Sequence, residues 1–579
     1  MKARIEPPLS PTWLRIASIA TLGLVLSLWV WTVIYAHAPT TDGGDGPFFF
    51  RLIEASKIGI GRWHELPLWN PYECGGVPLW DNPQSIAASP GIMLLQPFST
   101  TFTMGAWVIA HVTAGFVGTW LLCRDELGVS RIGAFAGACL FAFSTSLTNH
   151  LAGGHTAFAT FQLAPLALYL WRRAETDRRQ AIGLGLVVAY ILYSGGVYPL
   201  ANMGLMLLVE TLTRLDSRPR FVVIARAALV VGLVAVVVGA GRLLPVLDQL
   251  AHHKRPLSPE VDFIDWQLLK DMYLDRSHAL RFGHDYVWGE YVTYCGPIVL
   301  LLAFSGLVLS ARDRTWMLVV GTALFLLMLG HFAPWAPWSL LKNHVPPFIS
   351  MRVPARFRLL LVLFIASWVA IAIDRLPRLI ERLAGGLPLA RSARTIVVGA
   401  ALFATGDVAS TAIDNIIAPQ WNGPAPARVV PSPRLYLGGP GIAQFIDQPR
   451  QNRGRVECWE EWVPSTPTAL WTGDLPQAKT LSGDAAVTSV LRTQSSFRVV
   501  VDAAAPSTLL FNTSFARGWR TTAGTAHEQG GQLAVDIPAG HHELKVSYWP
   551  VGLTAGLLLS LVGLVASILF LSRQKAAQA

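Results

Sequence analysis

The stretch IASIATLGLVLSLWVWTVIYAHAPTTDGGDGPFFFRLIEASKIGI, residues 16–60, decides how the rest of the chain is to be read. Its apolar run from Ile16 to Ala36 follows a basic amino terminus, and Ala36-His37-Ala38 imitates the small-x-small cleavage site of a secretory signal. A signal core is roughly 7–15 apolar residues long, shorter than this run, and Pro39 argues against cleavage. The segment therefore reads as a retained anchor, since roughly 17–25 apolar residues suffice to cross a bilayer as a helix.

The same kind of run recurs along the chain. Of 579 residues, 52% are hydrophobic and only 14% charged, which describes an integral membrane protein rather than a soluble enzyme on an anchor. About twelve spans can be marked, centred on Val25, Val108, Phe141, Leu166, Val188, Met206, Val234, Leu302, Phe325, Ile365, Leu402 and Leu559.

Lysine and arginine collect on the cytoplasmic side of short loops. With the amino terminus inside, Arg124, Arg131, Arg172, Arg173, Arg214, Arg220, Arg312, Arg314, Arg375 and Arg378 all fall in inward loops. The parity closes with both termini cytoplasmic and SRQKAAQA as a basic tail. The net charge of +10 is mostly this bias, so a nucleic-acid partner is not implied.

Four outward segments are long: 37–92, 248–293, 331–357 and 414–550. The chain thus divides into a transmembrane domain over 1–413 that carries the first three, a β-rich extracytoplasmic domain over 414–550, and a last helix and tail over 551–579. In GQLAVDIPAGHHELKVSYWP (531–550), Leu533, Val535 and Ile537 alternate with polar or small residues, as do Leu544, Val546 and Tyr548. Pro538-Ala539-Gly540 between them predicts a β-hairpin. With SSFRVVVDAA and STLLFNTSF on either side of Pro506, the module reads as sandwich-like. Trp459, Trp462, Trp471 and Trp519 could stack on sugar rings, although aromatics in a small β module more often fill its core.

In the first outer loop, Phe49, Leu52, Ile53, Ser56 and Ile60 recur at helical spacing, with Arg51, Glu54 and Lys57 on the complementary face. This predicts an amphipathic helix lying in the membrane interface. The following WHELPLWNPYECGGVPLWDNPQSIAASPG (63–91) is too rich in Trp, Pro, Gly and Asn for a long regular element. Irregular backbone at this depth lines a wet cavity or is buried in protein. Asp81 and Gln84 of this loop are candidates for an acceptor pocket.

Asp42 and Asp45 are the candidate catalytic carboxylates. Aspartate before proline is also a helix cap, which accounts for one of the two; ionisable groups at a membrane boundary are otherwise paired, wet or used. Arg352, Arg356 and Arg358 stand on the outward side of a span, against the inward bias of basic residues. They are either interface anchors or forks for a phosphate, and Arg352 and Arg356 are the preferred phosphate ligands. His155 lies in a glycine-rich outward turn, and His284, Asp285 and Glu290 precede another span. Each could position an acceptor hydroxyl or a metal ion, but no spacing selects a metal. No cofactor is called for by any motif; a divalent ion, Mg or Mn, is the one left open.

Five cysteines show no paired metal-ligand spacing, and a Cys74–Cys295 disulfide is one pairing left open. No G-x-x-x-x-G-K-[ST], H-E-x-x-H or G-x-S-x-G occurs, so nucleotide hydrolysis, zinc proteolysis and ordinary serine hydrolysis lack their residues.

GDGPFF (44–49), LPLWNPYECGGVPLWDNPQS (66–85), GGHTAFATFQLAPLALYL (153–170), PPFISMRVPARFRLLL (346–361) and FNTSFARGWRTTAG (511–524) together resemble the YfhO-type polytopic bacterial membrane proteins, relatives of the GT-C glycosyltransferases. The chain departs from that pattern at SGGVYP (194–199) and at TAGT (522–525). The resemblance implies a mainly α, GT-C-like transmembrane fold with a C-terminal β-sandwich-like module, in the bacterial cytoplasmic membrane with its active face outward. It implies transfer of a sugar from a polyprenyl-phosphate-linked donor to an envelope glycan or lipid, with Asp45 as base and Arg352 and Arg356 on the departing phosphate. A flippase for lipid-linked saccharides and a non-catalytic envelope assembly protein are the alternatives; no internal repeat of the transporter kind is evident.

Overall fold

The computed structural model describes residues 12–35, 37–39, 46–253, 262–277, 288–384, 388–424, 435–438, 448–458 and 470–576. Apolar runs become helices because lipid leaves backbone groups no partner other than their own chain. The helices are α1 (Thr12–Val30), α2 (Gly46–Gly61), α3 (Thr100–Leu121), α4 (Arg131–Ala142), α5 (Thr145–Ala152), α6 (Ala164–Arg173) and α7 (Arg178–Tyr193). They continue with α8 (Val197–Leu212), α9 (Arg218–His252), α10 (Gly296–Ser310), α11 (Thr315–Met328), α12 (Arg358–Ala384), α13 (Pro388–Ala412) and α14 (Leu553–Ala576).

Each of the twelve expected centres falls inside one of these helices. Among the described residues seven helical segments are long and apolar enough to cross a membrane, and three more are apolar but shorter. The shortfall lies at α6 and α7: α6 has ten residues and follows a 3-10 turn over Thr156–Leu163, and α7 has sixteen. The span around Phe141 breaks at Phe143-Ser144, resumes as α5 and is one of the seven. The protein is a multi-pass membrane protein whose central helix, α12, is buried on nearly every side.

Strands β1 (Ala478–Ser482), β2 (Ala485–Arg492), β3 (Ser496–Ala503), β4 (Ser507–Ser514), β5 (Trp519–Thr521), β6 (Thr525–Gln529), β7 (Gln532–Ile537) and β8 (Gly540–Tyr548) form two four-stranded antiparallel sheets. Their orders are β6-β7-β4-β1 and β5-β8-β3-β2. The alternation read from the sequence holds, because Leu533, Val535, Ile537, Leu544, Val546 and Tyr548 are all buried in one core. The expected hairpin does not form. β7 pairs with β4 and β6, whereas β8 pairs with β3 and β5. Alternating apolar residues fix which face is buried, and two strands can meet that demand across a core as well as beside each other. Pro538-Ala539-Gly540 therefore crosses between sheets.

The sandwich core is completed by the first loop. Trp69 packs edge-on against Trp519 at 5.0 Å and lies 4.6 Å from Tyr548, and Leu68, Trp80 and Ala88 share the cluster. Thr513 Oγ1 donates to the Gly75 carbonyl at 2.8 Å, while Trp80 Nε1 donates to the Gly241 carbonyl of α9 at 3.0 Å. A side chain at Gly76, whose φ is +125°, would lie 2.3 Å from the Trp69 indole nitrogen. Trp519 is thus a core residue, Trp471 is half-buried, and Trp459 and Trp462 lie outside the described residues.

Two further expectations are corrected. Cys74 is joined to Cys458, and Cys295 is a buried free thiol. Chain connectivity could not show this, because the partner is 384 residues away. Helix α2 does not float at the interface: its polar face is buried against protein. Arg51 lies 3.3 Å from Glu73, which also takes Arg455 at 2.8 Å, and Glu54 accepts two bonds from Arg450 at 2.8 and 2.9 Å. Lys57 donates to the carbonyls of Leu95, Gln96 and Phe98. Buried charges are tolerated when paired and hydrogen-bonded, and the partners come from the first loop, residues 95–98 and segment 448–458.

Candidate functional site

Four pieces of chain deliver a cluster of buried polar side chains. Helix α5 carries His150, and the Gly153-Gly154 turn after it carries His155. A single turn, Trp288–Glu290, carries Glu290, and the turn Pro354–Phe357 leads into α12 with Arg356 and Arg358. Asn149 Nδ2 donates to the Gly289 carbonyl at 2.9 Å, tying the first piece to the third.

Arg356 grips Glu290 with two edges, Nε to Oε2 at 3.0 Å and Nη2 to Oε1. Its guanidinium plane lies over Tyr198 at 4.4 Å and Phe158 at 4.9 Å, which holds the fork flat. Burial opposes the charge on Glu290, but Arg356, with help from Arg358, holds the carboxyl well below the usual carboxylate range. Arg358 is fully buried. It donates to the carbonyls of Val292 (3.2 Å), Ala355 (3.3 Å) and Gly289 (2.9 Å), and to His150 Nε2 at 3.1 Å. His150 Nδ1 and His155 Nδ1 are 2.9 Å apart. Among the described residues the cluster thus holds two guanidiniums, Arg356 and Arg358, and one carboxylate, Glu290.

Of the residues singled out in the sequence, the structure unites His155, Glu290 and Arg356, and Arg352 lies half-buried in the stretch that leads into the same turn. Asp42, Asp45, His284 and Asp285 lie outside the described residues. Gly46, which follows the segment bearing the two aspartates, lies against the cluster's turn, and Pro39, which precedes it, lies against Gly46. A Cβ on Gly154 would lie 2.5 Å from the Gly46 Cα, and one on Gly46 would lie 3.2 Å from the Gly153 carbonyl and 3.3 Å from Pro39.

Asp81 and Gln84 are placed elsewhere, at the joint of the first loop with α9 and the sandwich. Asp81 Oδ2 accepts from the Tyr548 hydroxyl at 2.7 Å, and Arg242 donates to the carbonyls of Asn82 and Ser85. Burial pushes the Asp81 carboxyl up to about 7, against the opposing effects of the Tyr548 bond and Arg242. Gln84 is half-buried, with its carbonyl against Gly195. Among the described residues no three His, Cys, Asp or Glu side chains gather as a metal site.

Sequence reasoning missed His150 and ranked Arg358 too low. The signal for His150 was the pair of histidines bracketing two glycines in HLAGGH; for Arg358 there was none, because its role depends on three carbonyls from other segments.

Fold and cluster together define a multi-pass membrane protein in which Arg356, Arg358, Glu290, His150 and His155 gather where its long loops converge. No family model matches the chain, and no curated protein matches it. Among solved structures it is similar to the arabinofuranosyltransferase AftD from Mycobacteria, at 18% identity over 70% of this chain with a TM-score of 0.43. It is also similar to ArnT from Cupriavidus metallidurans bound to undecaprenyl phosphate, at 12% identity over 74% of this chain and 83% of that one, with a TM-score of 0.42. The chain spans only 27% of the length of the first. Neither likeness decides what this chain acts on.

Proposed function

We propose that the protein is a GT-C-type glycosyltransferase that moves a sugar from a polyprenyl-phosphate-linked donor to an envelope acceptor on the outer side of the cytoplasmic membrane. The observation that carries this reading is that half-buried Arg356 and fully buried Arg358 stand together with Glu290, His150 and His155 at the end of the bundle where the long loops meet. Guanidinium forks suit the oxygens of a phosphate, and a phosphate on a membrane lipid reaches such a place from the bilayer.

The proposed step is a direct displacement. The acceptor hydroxyl oxygen attacks the anomeric carbon, the bond from that carbon to the phosphate oxygen breaks, and the acceptor proton passes to the Asp45 carboxylate. The polyprenyl phosphate leaves with the electron pair, its charge met by Arg356 and Arg358 with Arg352 beside them. Asp42 is assigned a supporting role, and a Mg or Mn ion on these aspartates is part of the proposal rather than a requirement of it. Undecaprenyl phosphate, the ligand in the ArnT structure, is a lipid of the class proposed.

The test uses the full chain in lipid nanodiscs with radiolabelled polyprenyl-phosphate sugars and envelope extracts as acceptor. Transfer by the wild type, with donor binding retained and transfer lost in Asp45→Asn, is the expected result. Transbilayer movement of the labelled lipid without any glycosylated product would instead establish a flippase.

A further inference from the structure

Two of the apolar helices are shorter than a bilayer is thick. Helix α10 has 15 residues and α11 has 14. At 1.5 Å per residue each covers about 21–23 Å, against a hydrocarbon core of about 30 Å. Either the lipid thins around them or the neighbouring chain extends the apolar band. At the loop-bearing end the chain continues both helices with aromatic surface. Thr293 N and Cys295 N, at the start of α10, donate to the Met272 and Tyr273 carbonyls at 3.0 Å each, which ties the short helix Trp266–Leu274 to that start. Beyond α11 an antiparallel bridge pairs Phe263 with Gly330, with Ile264 N bonded to the Leu329 carbonyl and His331 N to the Asp262 carbonyl. A second short helix, Pro337–His344, follows.

Both additions have two faces. Ile264, Leu268, Met272 and Trp338 are buried in the same core as α12. In contrast, Trp266 is 79% exposed and Trp335 70%, and Phe263 is exposed as well. Phe332, half-buried, meets Trp335 edge-on at 5.5 Å. Among the described residues, the tryptophans exposed to a similar degree are Trp13 and Trp29, which stand at the two ends of the span α1. Tryptophan at the ends of a span marks the level of the lipid headgroups, where an amphipathic ring is at home, whereas apolar rings turned to water cost free energy in proportion to their area.

We propose that Phe263, Trp266, Phe332 and Trp335 form an aromatic shelf seated in the lipid headgroup layer at the loop-bearing end, where it completes the apolar band of α10 and α11. This placement follows from the chain spanning a membrane and stands whether or not a sugar is transferred. A lipid surface fits better than a second copy of the chain, because the shelf is continuous with two membrane helices and its tryptophans match those of α1 in exposure. The shelf is also joined to the candidate site. Asp262 Oδ2 accepts from the hydroxyl of Tyr291, the residue after Glu290, at 2.8 Å, and a Cβ on Gly330 would lie 3.0 Å from Pro354 at the head of the turn that carries Arg356.

Fluorine NMR of the full chain labelled with fluorotryptophan, in lipid nanodiscs, reads the surroundings of each ring. Trp266→Phe and Trp335→Phe assign the two resonances and leave the core untouched, since both side chains are exposed. Three paramagnetic probes are compared: phosphatidylcholine spin-labelled near the glycerol, the same lipid labelled at the chain end, and a water-soluble gadolinium chelate. Both resonances are expected to broaden several-fold more with the glycerol-side label than with either other probe. Broadening mainly by the chelate would make the surface aqueous and overturn the proposal, and broadening mainly by the chain-end label would overturn the headgroup depth. The pattern is expected to be the same in discs that hold one copy and in discs that hold two. Loss of the lipid-borne broadening in the two-copy discs would make the surface a contact between copies and overturn the lipid assignment.

Discussion

Buried charge is handled differently at the two ends of the helical bundle. At the end rich in short, basic loops, Arg15, Arg172, Arg173, Arg214 and Arg220 meet Asp125, Glu126, Glu175, Glu210 and Asp216, five against five. Glu210 is fully buried between Arg172 and Arg214, and Arg173 lies over Tyr169, whose hydroxyl reaches Asp125. This is a neutral belt joining α1, α6, α8 and α9. At the loop-bearing end, Arg356 and Arg358 meet Glu290 alone among the described residues, and Arg358 makes its bonds to neutral acceptors. In the belt each guanidinium meets a carboxylate; at the loop-bearing end Arg358 is held by backbone carbonyls and a histidine instead, and the proposed reading uses that arrangement for a phosphate.

The largest expected effect lies at the loop-bearing end. Asp45→Asn should lower transfer by about 10²–10⁴-fold, the usual range for a lost general base, with undecaprenyl phosphate binding unchanged. Next comes the opposite end. Glu210→Ala removes a buried carboxylate from Arg172 and Arg214, which keep Glu126 and Glu175, and should destabilise the fold by about 1–3 kcal/mol in denaturant melts, with donor affinity unaffected in the folded fraction. If donor affinity fell there as well, the contrast between the two ends would collapse. Arg356→Gln should weaken undecaprenyl phosphate binding by about 10–100-fold, the worth of a hydrogen bond to a charged group. An unchanged dissociation constant would remove Arg356 from the phosphate.

The smallest effect at neutral pH belongs to the joint at Asp81, which separates the contrast from a general property of buried acids. Its carboxyl is raised to about 7, so the folded state favours the protonated form. That contribution to stability is full at acid pH and is lost as pH climbs from the ordinary carboxyl range to about 7. Asp81→Asn should flatten this part of the pH–stability profile, read by thermal melting between pH 4 and about 8, and leave the donor site as it was.

Much of the fold was legible because it follows from solvation. Twelve apolar runs named twelve helices, and period-two alternation named the buried faces of β7 and β8, since each signal depends only on near neighbours in sequence. Less of the site was legible. His155, Glu290 and Arg356 could be selected as outward polar residues near spans, yet nothing local says that Arg356 grips Glu290, 66 positions away. The amphipathic face of α2 was read correctly as a pattern and wrongly as a surface, because Glu54 is met by Arg450 from a distant segment and Arg51 by Glu73 of the loop.

The sequence by itself determined that this chain spans a membrane many times, which residues avoid water, and which loops carry charge against the basic bias; these are consequences of transfer free energy, residue by residue. Only the tertiary structure decided which strands pair, that Cys74 meets Cys458, that Trp69 of the first loop completes the sandwich core, and that Arg358 meets His150. Those outcomes depend on distances between segments far apart in the chain, which hydrophobic patterning does not encode.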